Sequence, residues 1–132
     1  MNTTETISQA LDLKNWAVVG LGNNPDRPAF GVAKLLQDKG HQIFPVHPKA
    51  EAVHGAPGYQ SLLDIPTQID VVDCFVNSNL VGEVVDQAIT IGAKAVWLQL
   101  GVIDQAAADR AQAAGLLTIM DRCPAIEYRR YI

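Results

Sequence analysis

Five short apolar runs recur at nearly even intervals along this chain, at residues 16–19, 42–46, 71–76, 95–98 and 116–120. They are rich in β-branched residues and mostly unalternated, the pattern of strands covered on both faces. The segments between them carry helical period. Residues 28–39 place Phe30, Ala33, Leu35 and Leu36 along one side, and residues 80–91 place Leu80, Val84, Ala88 and Ile91 on one stripe. Residues 104–114 form an alanine-rich helical stretch with Asp104 at its N-cap. Gly40, Gly92 and Gly115 each stand after a helical segment and before a strand, where a left-handed C-cap favours glycine. Strands alternating with helices at this spacing predict parallel βαβ units with right-handed crossovers. The expected fold is α/β, Rossmann-like and doubly wound, a five-stranded parallel sheet with helices on both faces. Further helices are expected at 4–13 and 125–131, and a short one at 59–65 inside the Pro- and Gly-rich stretch 48–70.

At 132 residues this pattern fills one domain, residues 1–132, with no linker or low-complexity segment to divide it. Ten Lys and Arg against fourteen Asp and Glu give a net charge of −4, which argues against broad nucleic-acid binding but leaves room for a small anion held by a few local cations. No apolar stretch reaches the ~18 residues of a membrane span. The first residues carry Glu5 and no positive cluster, unlike a signal peptide. Two distant cysteines, Cys74 and Cys123, match neither a zinc spacing nor a secreted disulfide framework. A cytoplasmic protein without a membrane segment is expected.

A doubly wound sheet receives its ligand at the carboxyl ends of the strands, beside the point where strand order reverses. The turn after the first strand reads Gly20-Leu21-Gly22-Asn23-Asn24-Pro25-Asp26-Arg27-Pro28. Two glycines permit a tight turn and close backbone approach, and the helix that follows offers free N–H groups at its positive end, an environment suited to phosphate. Pro28 fits the first helical position. The second turn, Val46-His47-Pro48-Lys49, lacks the carboxylate that accepts hydrogen bonds from the ribose hydroxyls of NAD and holds a cation instead. A phosphorylated ribose suits it better than a free diol. The third turn offers Phe75 and Val76 as an apolar wall, with Asn77, Ser78 and Asn79 able to cap the next helix. The fourth, with Gln99 and Gly101, is uncharged and lines the path of an extended ligand arm.

Taken in order, these strings resemble the small stand-alone CoA-binding domain proteins, related to the N-terminal nucleotide-binding domain of the succinyl-CoA synthetase alpha subunit. The resemblance rests on Ala17-Val18-Val19-Gly20 with Asn24-Pro25-Asp26-Arg27-Pro28, on Phe44-Pro45-Val46-His47-Pro48, on Val71-Val72-Asp73-Cys74-Phe75, on Trp97-Leu98-Gln99-Leu100-Gly101, and on Met120-Asp121-Arg122-Cys123-Pro124 with Glu127-Tyr128. It implies coenzyme A or an acyl-CoA as ligand. The pyrophosphate would lie near Gly20, Gly22, Asn23 and Arg27, and the adenosine end near His47, Pro48, Lys49, Phe75, Val76 and Asn77. The family pattern has Asn-Pro after the second strand, so His47 is a departure whose ring would replace an amide donor. The larger synthetases carry their phosphorylated histidine in a second domain, which is not part of this sequence, so ligase activity does not transfer.

No catalytic constellation or metal pattern emerges. His41 reads as a surface residue, His54 as a turn residue, Cys74 as a core thiol, and Arg122, Arg129 and Arg130 as the solvated side of the last helix. Cys123, just beyond the last strand, can approach the ligand face. The reading is a binding module for a small nucleotide ligand, with a protein partner left open. Its alternatives are an NADP-type oxidoreductase and a thiol-linked CoA redox or regulatory protein.

Overall fold

The computed structural model describes residues 1–131. Five parallel strands, β1 (Asn15–Val19), β2 (Gln42–Val46), β3 (Val71–Cys74), β4 (Ala95–Leu98) and β5 (Leu117–Ile119), form one sheet in the order β2-β1-β3-β4-β5. Five helices cover it: α1 (Thr4–Leu11), α2 (Pro28–Asp38), α3 (Val81–Thr90), α4 (Gln105–Ala113) and α5 (Pro124–Tyr131). This is the expected Rossmann-like α/β fold, and its strand order reverses between β1 and β3.

Alternation along the strands sorts the core into two layers. Under α1, α2 and α5 lie Trp16, Val18, Val71, Trp97 and Ile119; under α3 and α4 lie Ala17, Val72, Cys74, Val96 and Leu98. Small Ala107, Ala108 and Ala111 form the buried face of α4, which lets it lie close to α3 and β5. Each fully buried Val, Leu or Ile side chain contributes about 1.5–3 kcal/mol of transfer free energy, so the uniform burial of the strands is the main driving force for the fold.

Several expectations need correction. The segment at 59–65 is not a helix beyond a 3₁₀ turn at Leu62–Asp64, because Tyr59 is held in extended pairing on the outer edge of β2. Its N–H donates to Pro45 O at 2.9 Å and its carbonyl accepts from His47 N–H at 2.9 Å. Pro45 is tolerated there because its ring nitrogen faces that outer edge, where no donor is required. Ala88 is buried as expected, but the rest of the buried stripe of α3 is Val81 and Val85, with Val84 and Ile91 only partly buried, and Leu80 is exposed at its N-cap. None of Asn77, Ser78 and Asn79 caps that helix with a side chain. Asp104 does cap α4, accepting from Ala107 N–H at 3.0 Å.

His41 is buried, not a surface residue. Its Nδ1 meets Leu13 O at 2.7 Å, its Nε2 meets the Tyr128 hydroxyl, and its ring packs beside Trp16. Burial pulls its pKa down, against the opposing pull of the Leu13 carbonyl and Asp12. Two of the three arginines expected on a solvated face of the last helix do more than face water. Arg122 and Arg130 both reach the buried carboxylate of Glu127, at 3.4 and 3.7 Å.

Candidate functional site

At the β1/β3 reversal the carboxyl ends of β1, β2, β3 and β4 open onto a cleft of about 920 Å³, within the range of small-molecule sites. Its wall includes thirteen residues singled out from the sequence: Gly20, Gly22, Asn23, Asn24, Arg27, Pro28, His47, Pro48, Lys49, Phe75, Val76, Asn77 and Gln99. Two others lie elsewhere. Leu21 is fully buried under α2, because the turn that exposes Gly20 and Gly22 points the intervening side chain into the core. Gly101 is exposed but not part of the wall, its N–H donating to Asp121 Oδ1 at 2.8 Å.

Gly20 is required by geometry. Its φ is +94°, and a Cβ built there would lie 2.2 Å from Phe75 O. The close approach joins the turns after β1 and β3 and forms the floor of the cleft. Asn24 shapes the entry to α2: its Oδ1 accepts from Asp26 N–H at 3.0 Å and its carbonyl from Arg27 N–H at 3.1 Å. This leaves Arg27 at the N-cap of α2 with no side-chain cap bond, followed by Pro28 at the first helical position. The positive end of α2 therefore faces the cleft with the Arg27 guanidinium beside it.

The second turn revises the role of His47. Its Nδ1 accepts from Lys49 N–H at 3.1 Å, as an asparagine side chain does from the residue two positions on. The ring thus replaces the amide acceptor of the Asn-Pro pattern, not its donor. With Nδ1 accepting, the neutral ring carries its proton on Nε2. The imidazole lies over Gly22, where a Cβ would come within 3.4 Å of Nε2. Lys49 and Arg27 are exposed on the cleft rim, and neither belongs to an ion pair among the described residues. Glu51, also on the wall, is the carboxylate nearest in sequence to Lys49.

Gln99 directly follows β4 and lines the cleft wall. It is only 4% exposed, and its Oε1 finds no hydrogen-bond partner. A buried amide oxygen without a donor costs about 1–3 kcal/mol, which a ligand N–H in the cleft would relieve. Cys123 reaches the same wall, partly exposed, whereas Cys74 is a buried core thiol whose pKa is pushed well up by burial and by Asp73.

Ala29, Val32, Glu51 and Leu80 also line the cleft and were not anticipated, while Leu100 and Val102 line it from the fourth turn, expected along the path of a ligand arm. For Ala29 and Val32 the signal was present, since helical period turns the first α2 residues toward the glycine turn after β1. Leu80 carried none, because an apolar residue in phase with a helical stripe reads as core.

Comparison with known proteins agrees with the fold. The CoA binding domain family model matches residues 14–129. An uncharacterized protein of Bacillus subtilis, YneT, is 34% identical over 110 residues, covering 83% of this chain and 82% of that protein. The ADP-forming acetate–CoA ligase II of Archaeoglobus fulgidus is 32% identical over 94 residues, 67% of this chain but only 14% of the ligase. A solved structure of a hypothetical protein from Pyrococcus horikoshii OT3 superposes with a TM-score of 0.92 at 42% identity, covering 98% of this chain and 92% of that one. With the match spanning nearly the whole of its sheet and helices, the chain belongs to the CoA binding domain family.

Proposed function

We propose that this domain binds coenzyme A or an acyl-CoA in the cleft at the β1/β3 reversal and acts as a binding module. The observation that carries the reading is the division of labour along one cleft. Cations outside any ion pair, Arg27 and Lys49, stand at the phosphate turns, and a buried amide without a partner, Gln99, stands at the end of β4. The α2 N-terminus and Arg27 hold the pyrophosphate. Lys49, with the Nε2–H of His47, faces the phosphate on the ribose, and Phe75 with Val76 covers the adenine. Gln99 pairs with an amide of the pantetheine arm, accepting from its N–H and donating to its carbonyl.

Calorimetric titration with CoA, dephospho-CoA and NADPH tests this. CoA is expected to bind about tenfold more tightly than dephospho-CoA, as for a charge-assisted contact, and Lys49→Gln to erase that difference. Equal affinities in the parent protein would remove Lys49 from the ribose phosphate. Binding of NADPH with none of CoA would favour the oxidoreductase alternative.

Cys123 on the cleft wall supports a second reading, thiol-linked capture of CoA. The Cys123 thiolate attacks one sulfur of CoA disulfide, the S–S bond breaks, a protein–CoA disulfide forms, and the second CoA leaves as thiolate. Intact mass after incubation with CoA disulfide is expected to show one CoA adduct on the parent and none on Cys123→Ser; an adduct retained by the variant refutes the reading.

A further inference from the structure

The cleft has two unlike rims. One carries Asn23, Asn24, Arg27 and Lys49. The other carries Leu80 and Leu100, which are 52% and 54% exposed although both line the cleft, and Ile103 stands beside them at 51%. Large apolar side chains left open to water next to a pocket mark a surface that something covers.

This exposure is built in. The Ser78 hydroxyl donates to Gly101 O at 3.3 Å and accepts from Ile103 N–H at 2.9 Å, and Gly101 N–H donates to Asp121 Oδ1 at 2.8 Å. These bonds lace together the loops after β3, β4 and β5. Gly101 sits at φ +78° between Leu100 and the buried Val102. Leu100 cannot fold inward without breaking the bonds on either side of Gly101, so the loops hold the two apolar side chains outward.

We infer that the apolar rim receives the acyl chain of a thioester, making the preferred ligand an acyl-CoA with a chain of several carbons. The inference rests on the CoA reading above. The choice of an acyl chain follows from continuity: Leu80 and Leu100 belong to the same wall as Gln99 and Cys123. A ligand with its phosphates at Arg27 and Lys49 and its amides at Gln99 carries its thioester end toward that rim. Leu80, Leu100 and Ile103 themselves offer no charge to pair with an acyl carboxylate, so a hydrocarbon chain is favoured over a dicarboxylic one.

The test is competition binding to the intact chain with CoA and its acetyl, butyryl, hexanoyl and octanoyl thioesters, and with succinyl-CoA, all below their micelle concentrations. Affinity is expected to rise about twofold to fourfold per added methylene, the range for partial to full burial of a CH₂, and then to level off. Succinyl-CoA is expected to bind more weakly than butyryl-CoA. Leu100→Ser and Ile103→Ser, both at exposed positions, should shrink the ratio of CoA to octanoyl-CoA dissociation constants. A flat series with CoA still bound overturns the acyl inference alone, whereas no binding of CoA or any thioester overturns both it and the CoA reading. A flat series together with a concentration-dependent dimer that Leu100→Ser dissolves would make the rim a contact between copies instead.

Discussion

The two ends of the sheet treat their polar groups in opposite ways. At the amino end, beneath α1 and α5, most of them satisfy one another: Trp16 Nε1–H donates to Leu13 O at 2.8 Å, His41 bridges Leu13 O and the Tyr128 hydroxyl, and that hydroxyl lies 3.2 Å from Leu11 O, with Asn15 Oδ1 at the start of β1 as the exception. At the carboxyl end Gln99 keeps a buried oxygen without a partner, while Arg27 and Lys49 belong to no ion pair among the described residues. Buried polar groups are normally hydrogen-bonded, so the difference separates an end built for stability from an end built to be completed by a ligand.

The largest effect should come from a residue that belongs to both purposes. Gly20→Ala puts a Cβ 2.2 Å from Phe75 O at a φ of +94°. Strain and overpacking together are expected to cost about 3–5 kcal/mol, read as a fall in urea midpoint with the slope unchanged. A loss below about 1 kcal/mol would mean that the cleft floor yields, and that glycine there serves ligand approach alone.

Tyr128→Phe probes the amino end. It strips His41 Nε2 of its partner within the core, at a cost of about 1–3 kcal/mol, with ligand affinity unchanged. The His41 ring adds a pH signature. Its folded pKa is lowered, so its contribution is present above the unfolded value of about 6.5 and is lost as pH falls through the folded value. Acidification should therefore weaken the parent protein across that window. Tyr128 belongs to the same network, its own pKa raised by burial and by Asp12.

Gln99→Met separates the two ends most directly, because one change should move stability and binding in opposite directions. Replacing the unpartnered amide by an apolar chain of similar size is expected to raise stability by about 1 kcal/mol and to weaken CoA binding about tenfold by removing one buried hydrogen bond. A change that lowered both would place Gln99 with the structural groups.

What the sequence could reveal follows the same division. Strand burial, glycine C-caps, the Asp104 cap and the glycine turn after β1 each depend on local pattern, and all are legible in consecutive residues. The His41–Tyr128 contact joins positions 87 residues apart, and Glu127 acquires its arginines only once α5 docks, so neither leaves a local trace. Leu21 sits inside a motif read as ligand-binding, yet the alternation of the turn sends its side chain to the core. Leu80 and Leu100 fail in the reverse direction, apolar by composition and exposed by loop geometry.

Asp73 belongs to neither end, and its substitution is read on stability alone. It lies mid-strand in β3, in register with Val18 and Trp97, completely buried, and neither carboxyl oxygen has a partner. Burial pushes its pKa well above the carboxylate range. The unfolded chain ionises at about pH 3.9 while the folded chain holds its proton to higher pH, so Asp73's contribution is complete below the unfolded value and is lost as pH rises through the folded one. Asp73→Asn cannot ionise and escapes that loss. The variant should be more stable than the parent at pH 7 by about 1 kcal/mol or more, the gap narrowing as pH falls toward 4. If the variant is instead weaker at every pH, the carboxyl is engaged by a group such as a buried water, and the middle of the sheet joins its amino end in satisfying its own polar groups.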